Sequence, residues 1–443
     1  DCRATRERAE RLLRPWLIRH NRSPSLSSRG HKPTDVPRRS VIAGRGVLPQ
    51  ETPVREGLTQ GLPVGDRAIL PFLITARAQG QLAQCPGTRA FFAEGLASSY
   101  EAFHHTREAR YKAMDCPNEG LVPETEGAEW TVPTRWYEDQ IAKLIPSRSD
   151  PRAARFAHPK IYATVSRTLD LWGRGEKVLV FCFYRQTAHA LHEHLREEVG
   201  QRTIQEAAEK LNLDPQVDKE EVQRWLTRIA RRLTNEKSPF FREMESVVSA
   251  PLLEPQYAIL QPYRAQLLGV LMAYFRSPSF VARYVPLNDA RVRAALEERE
   301  SRQGVIARGL QALRNAVLQQ KDDSGQDYIG RIRQFLDFAA ELAERAERRF
   351  RLKGGETADE SDDPLREYLE AVTVYSKPRR LAQVDSDDVP RDAEDGSYRV
   401  MPLVRLVYGD TKPAVRDRLM LAFNSPLFPE LLVSSSVMGE GVD

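Results

Sequence analysis

The chain has 443 residues, of which 41% are hydrophobic and 29% are charged, and its formal net charge is +4. This composition excludes a disordered chain and leaves room for about two or three domains. The modest positive charge permits nucleic-acid binding without arguing for it, because the arginines are dispersed along the chain. No apolar run approaches the roughly 20 residues of a membrane span, so we expect no membrane insertion.

The N-terminal region, residues 1–157, combines helical and irregular sequence. Residues 2–22 show apolar residues at helical spacing, interrupted at Pro15. Residues 23–66 are rich in Ser, Pro, Gly and Arg, and we expect a linker or irregular surface there. Residues 68–111 and 136–144 have helical patterning on either side of an acidic, Pro- and Gly-containing loop at 116–134.

The first clear strand signal is the run VLVFCFY at 178–184, which follows the Gly-Glu-Lys turn at 175–177. An apolar, β-branched and aromatic run of this kind, followed by a helix over 187–198, predicts a buried parallel strand with its crossover helix. Tyr184, Arg185 and Gln186 would lie at the carboxyl end of this strand, where parallel sheets bind ligands. They either line a ligand site or are ordinary loop residues.

About 200 residues separate this strand from the next apolar run, far more than an ordinary connection between a strand and a helix. The intervening sequence has long helical patterns, and we expect an inserted, mainly helical domain at 201–398. Two of its helices are rich in arginine. One set is Arg224, Arg228, Arg231 and Arg232, and the other is Arg345, Arg348, Arg349 and Arg351. Each set is either a phosphate-binding surface or a solvated face with Glu partners.

The last forty residues or so predict a β-α-β unit. An apolar run at 403–408 ends at a Gly-Asp-Thr turn, and a helix with one apolar face follows. Pro426 and Pro429 end that helix, and the apolar run 431–433 leads into a loop of small residues. Hydroxyls and unhindered N–H groups in this loop suit a phosphate. The residues that would supply them are Ser434, Ser435, Ser436, Gly439 and Gly441.

The strand region at 178–184 and the last forty residues or so resemble the second RecA-like lobe of superfamily 2 helicases and Swi/Snf-type DNA translocases. Gly409, Asp410, Arg416 and Phe423 stand where that family has its Gly-Asp-Thr turn, helix Arg and closing Phe. The segment 439–443, Gly-Glu-Gly-Val-Asp, is similar to motif V, and the run 178–184 resembles motif IV. The string at 13–20 resembles the end of the first motor lobe, with His20 where the family usually has Arg. The motif V stretch is also similar to helicase-related proteins of bacterial phage-defence systems.

The resemblance implies an α/β fold, with a partial RecA-like parallel sheet, a large helical insertion and a helical N-terminal region. It divides the chain into the end of the first motor lobe (1–22), a linker and helical accessory region (23–157) and the first part of the second lobe (158–200). The insertion (201–398) and the rest of the second lobe (399–443) follow. The chain begins with Asp1 rather than Met and stops just after the Gly-rich loop, so we expect a fragment of a longer protein.

The resemblance also assigns site residues. Tyr184, Arg185, Gly409, Asp410, Thr411, Arg416 and Ser435 would contact nucleic acid, and Gly439, Gly441 and Asp443 would approach a nucleotide. Arg416 either contacts the nucleic acid or only braces its helix. ATP and Mg²⁺ would be bound mainly by the first lobe, because the sequence has no GxxxxGK[ST] loop. This chain alone is therefore expected not to hydrolyse ATP.

The implied partner is a nucleic acid, with duplex DNA favoured, and the insertion offers a surface for a protein partner. The rival hypothesis is a non-catalytic platform that binds DNA or protein. The cysteines Cys2, Cys85, Cys116 and Cys182 form no CxxC pair, which predicts a reduced, cytoplasmic compartment and no cysteine metal site.

Overall fold

The structure is a computed structural model. It describes residues 40–43, 46–49, 68–82, 91–115, 134–275, 277–298, 303–319, 327–352, 363–373, 403–409 and 411–435. This part of the chain is mostly helical and contains a parallel sheet of three strands, which confirms a mixed α/β fold at that level. No helix within these ranges has the length and apolar character needed to cross a membrane.

The described elements follow in chain order. The N-terminal region has strands β1 (Ser40–Ala43) and β2 (Gly46–Pro49) and helices α1 (Ile69–Leu82), α2 (Phe91–Ser98), α3 (Tyr100–Asp115) and α4 (Thr134–Leu144). Next come α5 (Arg152–Phe156), α6 (Pro159–Gly173), β3 (Val178–Cys182) and α7 (Arg185–Leu211). The predicted insertion contains α8 (Lys219–Thr234), α9 (Pro239–Leu252), a 3-10 helix (Pro255–Tyr263), α10 (Arg264–Phe275), α11 (Pro278–Tyr284), α12 (Ala290–Glu297), α13 (Gln303–Gln319), α14 (Tyr328–Leu352) and α15 (Pro364–Thr373). The chain then forms β4 (Val404–Val407), α16 (Pro413–Asn424) and β5 (Leu431–Ser435).

The parallel sheet has the strand order β3-β5-β4, so the last strand in sequence lies between the other two. Val178 and Val404 both pair with Leu431, which aligns the starts of the three strands. The predicted strands at 178–184, 403–408 and 431–433 are thus confirmed as strands of one parallel sheet. The first of them is predicted to be buried, but β3 lies at the edge of the sheet, is only partly buried, and leaves Phe181 52% exposed. β5 continues through Ser434 and Ser435, which the sequence pattern assigned to the following loop.

Helices cover both faces of the sheet. On one face, α6 and α7 bury side chains such as Trp172 and Leu191 against Val180 and Val433. On the other face, α16 packs Leu419 and Phe423 against strand residues that include Leu432. The apolar face predicted for α16 from its sequence spacing is the face that is buried.

The predicted boundary at residue 200 falls inside α7, which is one continuous helix of 27 residues. The helix starts at the sheet and reaches the insertion, where it packs against α8 and α11. It ends at Asn212, whose left-handed backbone (φ 58°) is the ordinary geometry of an Asn cap. Near this end, the Nζ of Lys210 donates to the backbone oxygen of Arg283 at 2.7 Å, and burial lowers the pKa of Lys210 to about 8.

The predicted insertion and the sheet region share one hydrophobic core. This core contains residues of α8 to α15 and also Ala422, Leu427 and Phe428 from the C-terminal β-α-β unit. Tyr274 of α10 packs edge-on against Phe428, with the ring centroids 4.9 Å apart. The insertion is therefore packed against the sheet region rather than only tethered to it.

Residues 23–66 are predicted to be a linker or irregular surface, and this is wrong for residues 40–43 and 46–49, where β1 and β2 pair antiparallel. The rest of this range lies outside the described residues. Val41 pairs with Leu48, and Ile42 pairs with Val47. These β-branched and apolar residues favour strands, and the Pro- and Gly-rich flanks conceal the short signal.

Gly309 of α13 lies at a close approach to α12, and replacing it with alanine is expected to destabilise the fold. A Cβ at this position would lie 2.3 Å from the Cβ of Ala295 and 2.7 Å from the backbone oxygen of Arg291. Overpacking of this kind costs about 1–3 kcal/mol. Gly200 of α7 has no atom within 4 Å of the position that a Cβ would occupy, so Gly200→Ala is the control and should gain about 0.5–1 kcal/mol. Urea unfolding of both variants tests the contrast, and an equal response of the two would contradict the packing described.

His158 is expected to make stability depend on pH. It caps α6: Nδ1 accepts the N–H of Ile161 at 3.4 Å, and Nε2 donates to the backbone oxygen of Leu96 at 2.8 Å. Burial, with a smaller contribution from the Lys160 charge, lowers the pKa of His158 to about 4. As the pH falls, His158 therefore becomes protonated in the unfolded chain before it does in the folded protein. The free energy of unfolding is highest above about pH 6.5 and decreases as the pH falls toward 4.

The expected loss from His158 between pH 7 and pH 5 is about 2 kcal/mol. We expect His158→Asn, which keeps a capping oxygen, to reduce the pH dependence of the unfolding free energy by about that amount. Urea titrations at the two pH values measure it. A variant with the pH dependence of the wild type would show that His158 is not held neutral by the fold.

Candidate nucleic-acid interface

The carboxyl ends of the three parallel strands form one edge of the sheet. The register pairs Cys182 with Ser435 and Val407 with Ser434, so β3, β4 and β5 end side by side. The segments after β3 and β4, which the sequence predicts as a ligand site, therefore both leave from the edge at which β5 ends. We call this region the carboxyl edge.

Arg185 and Tyr408 join two of the strand ends. The guanidinium of Arg185, the first residue of α7, lies over the ring of Tyr408 at 4.6 Å from its centroid. Tyr408 directly follows β4, and its ring also packs against His189, with centroids 4.8 Å apart. This contact places a cation at the junction of two strand ends, and a guanidinium is a group that binds phosphate oxygens.

A second arginine reinforces the positive charge at this edge. The Nη2 of Arg148 donates to the Oε1 of Gln186 at 2.7 Å, next to Arg185. The pKa of His189 is lowered from its ordinary value by burial and then by the charges of Arg185 and Arg148. His189 is therefore neutral at pH 7, and the two guanidinium groups supply the charge felt there.

Two helices begin at the carboxyl edge without a side-chain cap. α7 starts after Tyr184 and α16 starts after Lys412, and neither capping residue accepts a hydrogen bond from the first turn through its side chain. Neither helix has an acidic residue in its first turn. At the start of α16, Pro413 has no N–H group and the N–H of Val415 donates to the backbone oxygen of Lys412 at 2.9 Å. The uncapped start of α7 and the positive ends of both helix dipoles favour an anion.

The predicted turn after β4 is formed by Tyr408, Gly409 and Thr411 among the described residues. The N–H of Tyr408 donates to the Oγ1 of Thr411 at 3.1 Å, and the N–H of Thr411 donates to the backbone oxygen of Tyr408 at 2.9 Å. Gly409 is exposed at the tip. These bonds hold Tyr408 in the position where it meets Arg185.

Ser435 and Arg416 are both less exposed than Gly409 of the turn. Ser435 is the last residue of β5 and is only 4% exposed. Arg416 is half-buried on α16, and its Nε lies 3.9 Å from an oxygen of the adjacent Asp417. That contact is a weak, local ion pair, so both interpretations of Arg416, as a nucleic-acid contact and as a helix brace, stay predictions.

Tyr184 is directed away from the other site residues. Its hydroxyl donates to the Oε2 of Glu94 at 3.3 Å, beside a cavity of about 470 Å³ between β3, α2 and α6. Cys182 lines the same cavity, and burial raises the pKa of its thiol to about 11. A protonated thiol is a poor nucleophile and metal ligand.

Four predicted site residues, Asp410, Gly439, Gly441 and Asp443, lie outside the described residues. Within the described ranges, no group of three or more His, Cys, Asp and Glu side chains is arranged to hold a metal ion. The described part of the site supplies an arginine and the positive ends of two helices, which are groups that can bind phosphate oxygens.

Sequence reasoning missed three contributors to the carboxyl edge: Arg148, His189 and Tyr408. Tyr408 gave the clearest signal, because it directly precedes the predicted turn. Arg148 gave none, since it lies 38 positions before Gln186 in the chain. No protein-family model, no curated protein sequence and no solved structure matches this chain, so its own residues carry the functional argument.

Proposed function

We propose that this chain is the C-terminal portion of an ATP-dependent nucleic-acid helicase or translocase that acts on DNA. In this proposal the three-stranded sheet is part of a RecA-like lobe. Its carboxyl edge forms part of the nucleic-acid track and one wall of the ATP site. The observation that carries the proposal is the stacking of Arg185 on Tyr408 at 4.6 Å, which joins the ends of β3 and β4 beside Ser435.

The chemistry of the edge supports a phosphate ligand in particular. Arginine, a hydroxyl and uncapped helix N-termini all interact with phosphate oxygens, and none of them distinguishes one base from another. Contacts of this kind give binding that depends little on base sequence. A translocase needs such binding, because it must hold each successive stretch of its track.

The residues of the carboxyl edge would hold phosphate groups, and the Mg²⁺ of an ATP site would need carboxylates from elsewhere. When bound, ATP with Mg²⁺ supplies the free energy of hydrolysis that drives movement. What this chain's own residues would do is bind and orient: Arg185 would supply its cation, and the start of α7 would supply backbone N–H groups. The start of α16 adds the positive end of its dipole. Ser435 ends β5 at the same edge, with its side chain only 4% exposed.

A non-catalytic binding platform is the second candidate. The sequence contains no GxxxxGK[ST] loop, and a platform would need none. It would use the same carboxyl edge to bind nucleic acid.

ATP hydrolysis by the complete gene product separates the two candidates. The motor proposal predicts hydrolysis that is stimulated by duplex DNA, single-stranded DNA or RNA and is lost in Arg416→Ala or Ser435→Ala variants. A well-folded complete protein that binds DNA without hydrolysing ATP under any condition would overturn the motor and leave the platform.

A further inference from the structure

Helix α8 of the insertion carries a positively charged face that is separate from the carboxyl edge. Val222, Leu226, Ile229 and Leu233 are buried in the insertion core. Because the helix is amphipathic, its arginines lie on the opposite side. They are Arg224, Arg228, Arg231 and Arg232. We call this side the α8 arginine face.

The α8 arginine face is directed to solvent and regularly spaced. Gln223, Thr227, Asn235 and Glu220 lie on the same side of the helix as the arginines. Arg224, Arg228 and Arg232 recur every four residues, which is about 6 Å along a helix axis. That interval suits guanidinium contacts with successive phosphates of one strand, and the amide and hydroxyl groups add neutral hydrogen bonds.

The carboxylates near these arginines bind them only loosely. Arg224 lies 3.7 Å from Glu221, and Arg228 lies 3.6 Å from Glu297, with all four side chains at least 44% exposed. Exposed ion pairs of this length are worth about 0–1 kcal/mol. Phosphate groups can replace them at little cost, because an arginine–phosphate contact is bidentate and charge-assisted.

Other contacts hold two of the arginines in position. The guanidinium of Arg228 lies over the ring of Trp225 at 4.7 Å. The Nη2 of Arg232 donates to the backbone oxygen of Glu298 at 2.7 Å, which ties the end of α8 to the end of α12. Preordered cations lose less side-chain entropy on binding.

We propose that the α8 arginine face is a second binding surface for the phosphate backbone of a nucleic acid. A protein partner fits less well, because protein interfaces have an apolar centre and this side of α8 carries only polar and charged residues. The inference goes beyond the proposed function, since the face would bind nucleic acid without ATP in a motor or in a platform.

The test is the affinity of the whole chain for a fluorescent duplex of arbitrary sequence, measured by anisotropy between 50 and 200 mM NaCl without ATP. The triple variant Arg224→Gln, Arg228→Gln, Arg231→Gln leaves Arg232 and its contact with Glu298 intact. We expect its Kd to rise about tenfold or more. The slope of log K against log salt should become shallower by about three, one for each lost phosphate contact.

A control triple variant removes the same charge from elsewhere on the surface: Arg202→Gln, Arg291→Gln and Arg314→Gln. It should stay within about twofold of the wild type, since non-specific attraction alone is weak at these salt concentrations. Equal affinities and slopes for the two triple variants would overturn the inference. Loss of polyglutamate binding in the first triple variant, with DNA binding intact, would overturn it in favour of an acidic protein.

A gain of affinity provides a test that misfolding cannot imitate. Glu220 is a carboxylate on the same side of α8 as the arginines, and Glu220→Gln should tighten DNA binding about twofold. Unchanged or weaker binding would count against the α8 arginine face. A negative result for the α8 arginine face would not count against the proposal for the carboxyl edge. That proposal is tested separately, by the Arg185→Ala variant and by ATP hydrolysis.

Discussion

Replacement of Glu430 with alanine is expected to lower the free energy of unfolding by about 3–5 kcal/mol, because it breaks a buried ion pair. Glu430 directly precedes β5 and is only 4% exposed. Its Oε2 accepts from the Nε1 of Trp172 at 2.5 Å and lies 3.6 Å from the Nη1 of Arg283. Its Oε1 accepts from the hydroxyl of Tyr274 at 3.4 Å.

The arginine explains why the loss should be large. Arg283 is held in place by stacking over Trp172 at 4.3 Å and by donating to the backbone oxygen of that residue at 3.1 Å. Its side chain is only 10% exposed. Without Glu430, the buried guanidinium loses this ion pair, and the N–H of Trp172 and the hydroxyl of Tyr274 lose this acceptor. Buried polar groups that lose an acceptor destabilise the folded state.

A surface pair is the matched control for Glu430. Arg333 and Glu254 are separated by 2.9 Å, closer than Arg283 and Glu430, but their side chains are 51% and 32% exposed. Glu254→Ala should therefore cost only about 0–1 kcal/mol. Urea unfolding followed by tryptophan fluorescence measures both variants. Equal losses for Glu430→Ala and Glu254→Ala would contradict the account, since burial would then not set the cost.

Arg185→Ala is expected to weaken nucleic-acid binding by about 10- to 100-fold, which is the loss of one or two charged hydrogen bonds. Arg185 is the arginine that meets Tyr408, so its removal takes away both a cation and a contact between the ends of β3 and β4. Arg185→Lys keeps the charge but cannot bind bidentately, and it should fall between the wild type and the alanine variant.

Arg196 provides the control on the same helix. It is an exposed residue of α7, about three turns beyond Arg185, so Arg196→Ala changes the net charge equally without touching the carboxyl edge. Anisotropy titrations with duplex and single-stranded DNA should leave Arg196→Ala within about twofold of the wild type. If the Arg185 and Arg196 variants bind equally well, the carboxyl edge is not a nucleic-acid surface.

The sheet could be predicted from the sequence because each strand carries a strong local signal. Val178–Cys182 and Leu431–Ser435 are continuous apolar or small-residue runs, and the spacing of Leu419 and Phe423 indicates the buried face of α16. Local patterns of this kind can be recognised in the sequence without knowing which strand pairs with which.

The contacts between distant segments could not be predicted in the same way. Glu430 meets Trp172 across 258 positions and Tyr274 across 156 positions, and no periodicity relates such residues. The sequence pattern also misses the continuity of α7 through residue 200, because it places a domain boundary where the helix in fact carries the chain into the insertion. Tertiary packing decides both features.

The placement of Tyr184 shows a limit of reasoning from strand ends. Sequence order puts Tyr184 and Arg185 at the same edge, which the structure bears out for their backbones. Their side chains diverge, since Tyr184 contacts Glu94 and Arg185 contacts Tyr408. The direction of each side chain depends on the start of α7, and the sequence does not encode that direction in any simple pattern.

Ultraviolet cross-linking of the chain to thymidine-rich DNA, followed by mass spectrometry, tests the carboxyl edge most directly. Tyr408 is half-buried beside Arg185 and should lie within reach of a base of the bound DNA if the edge is part of the track. The account predicts cross-linked peptides that contain Tyr408 and are lost in the Arg185→Ala variant. Cross-links found only in other parts of the chain, with this peptide recovered unmodified, would contradict it.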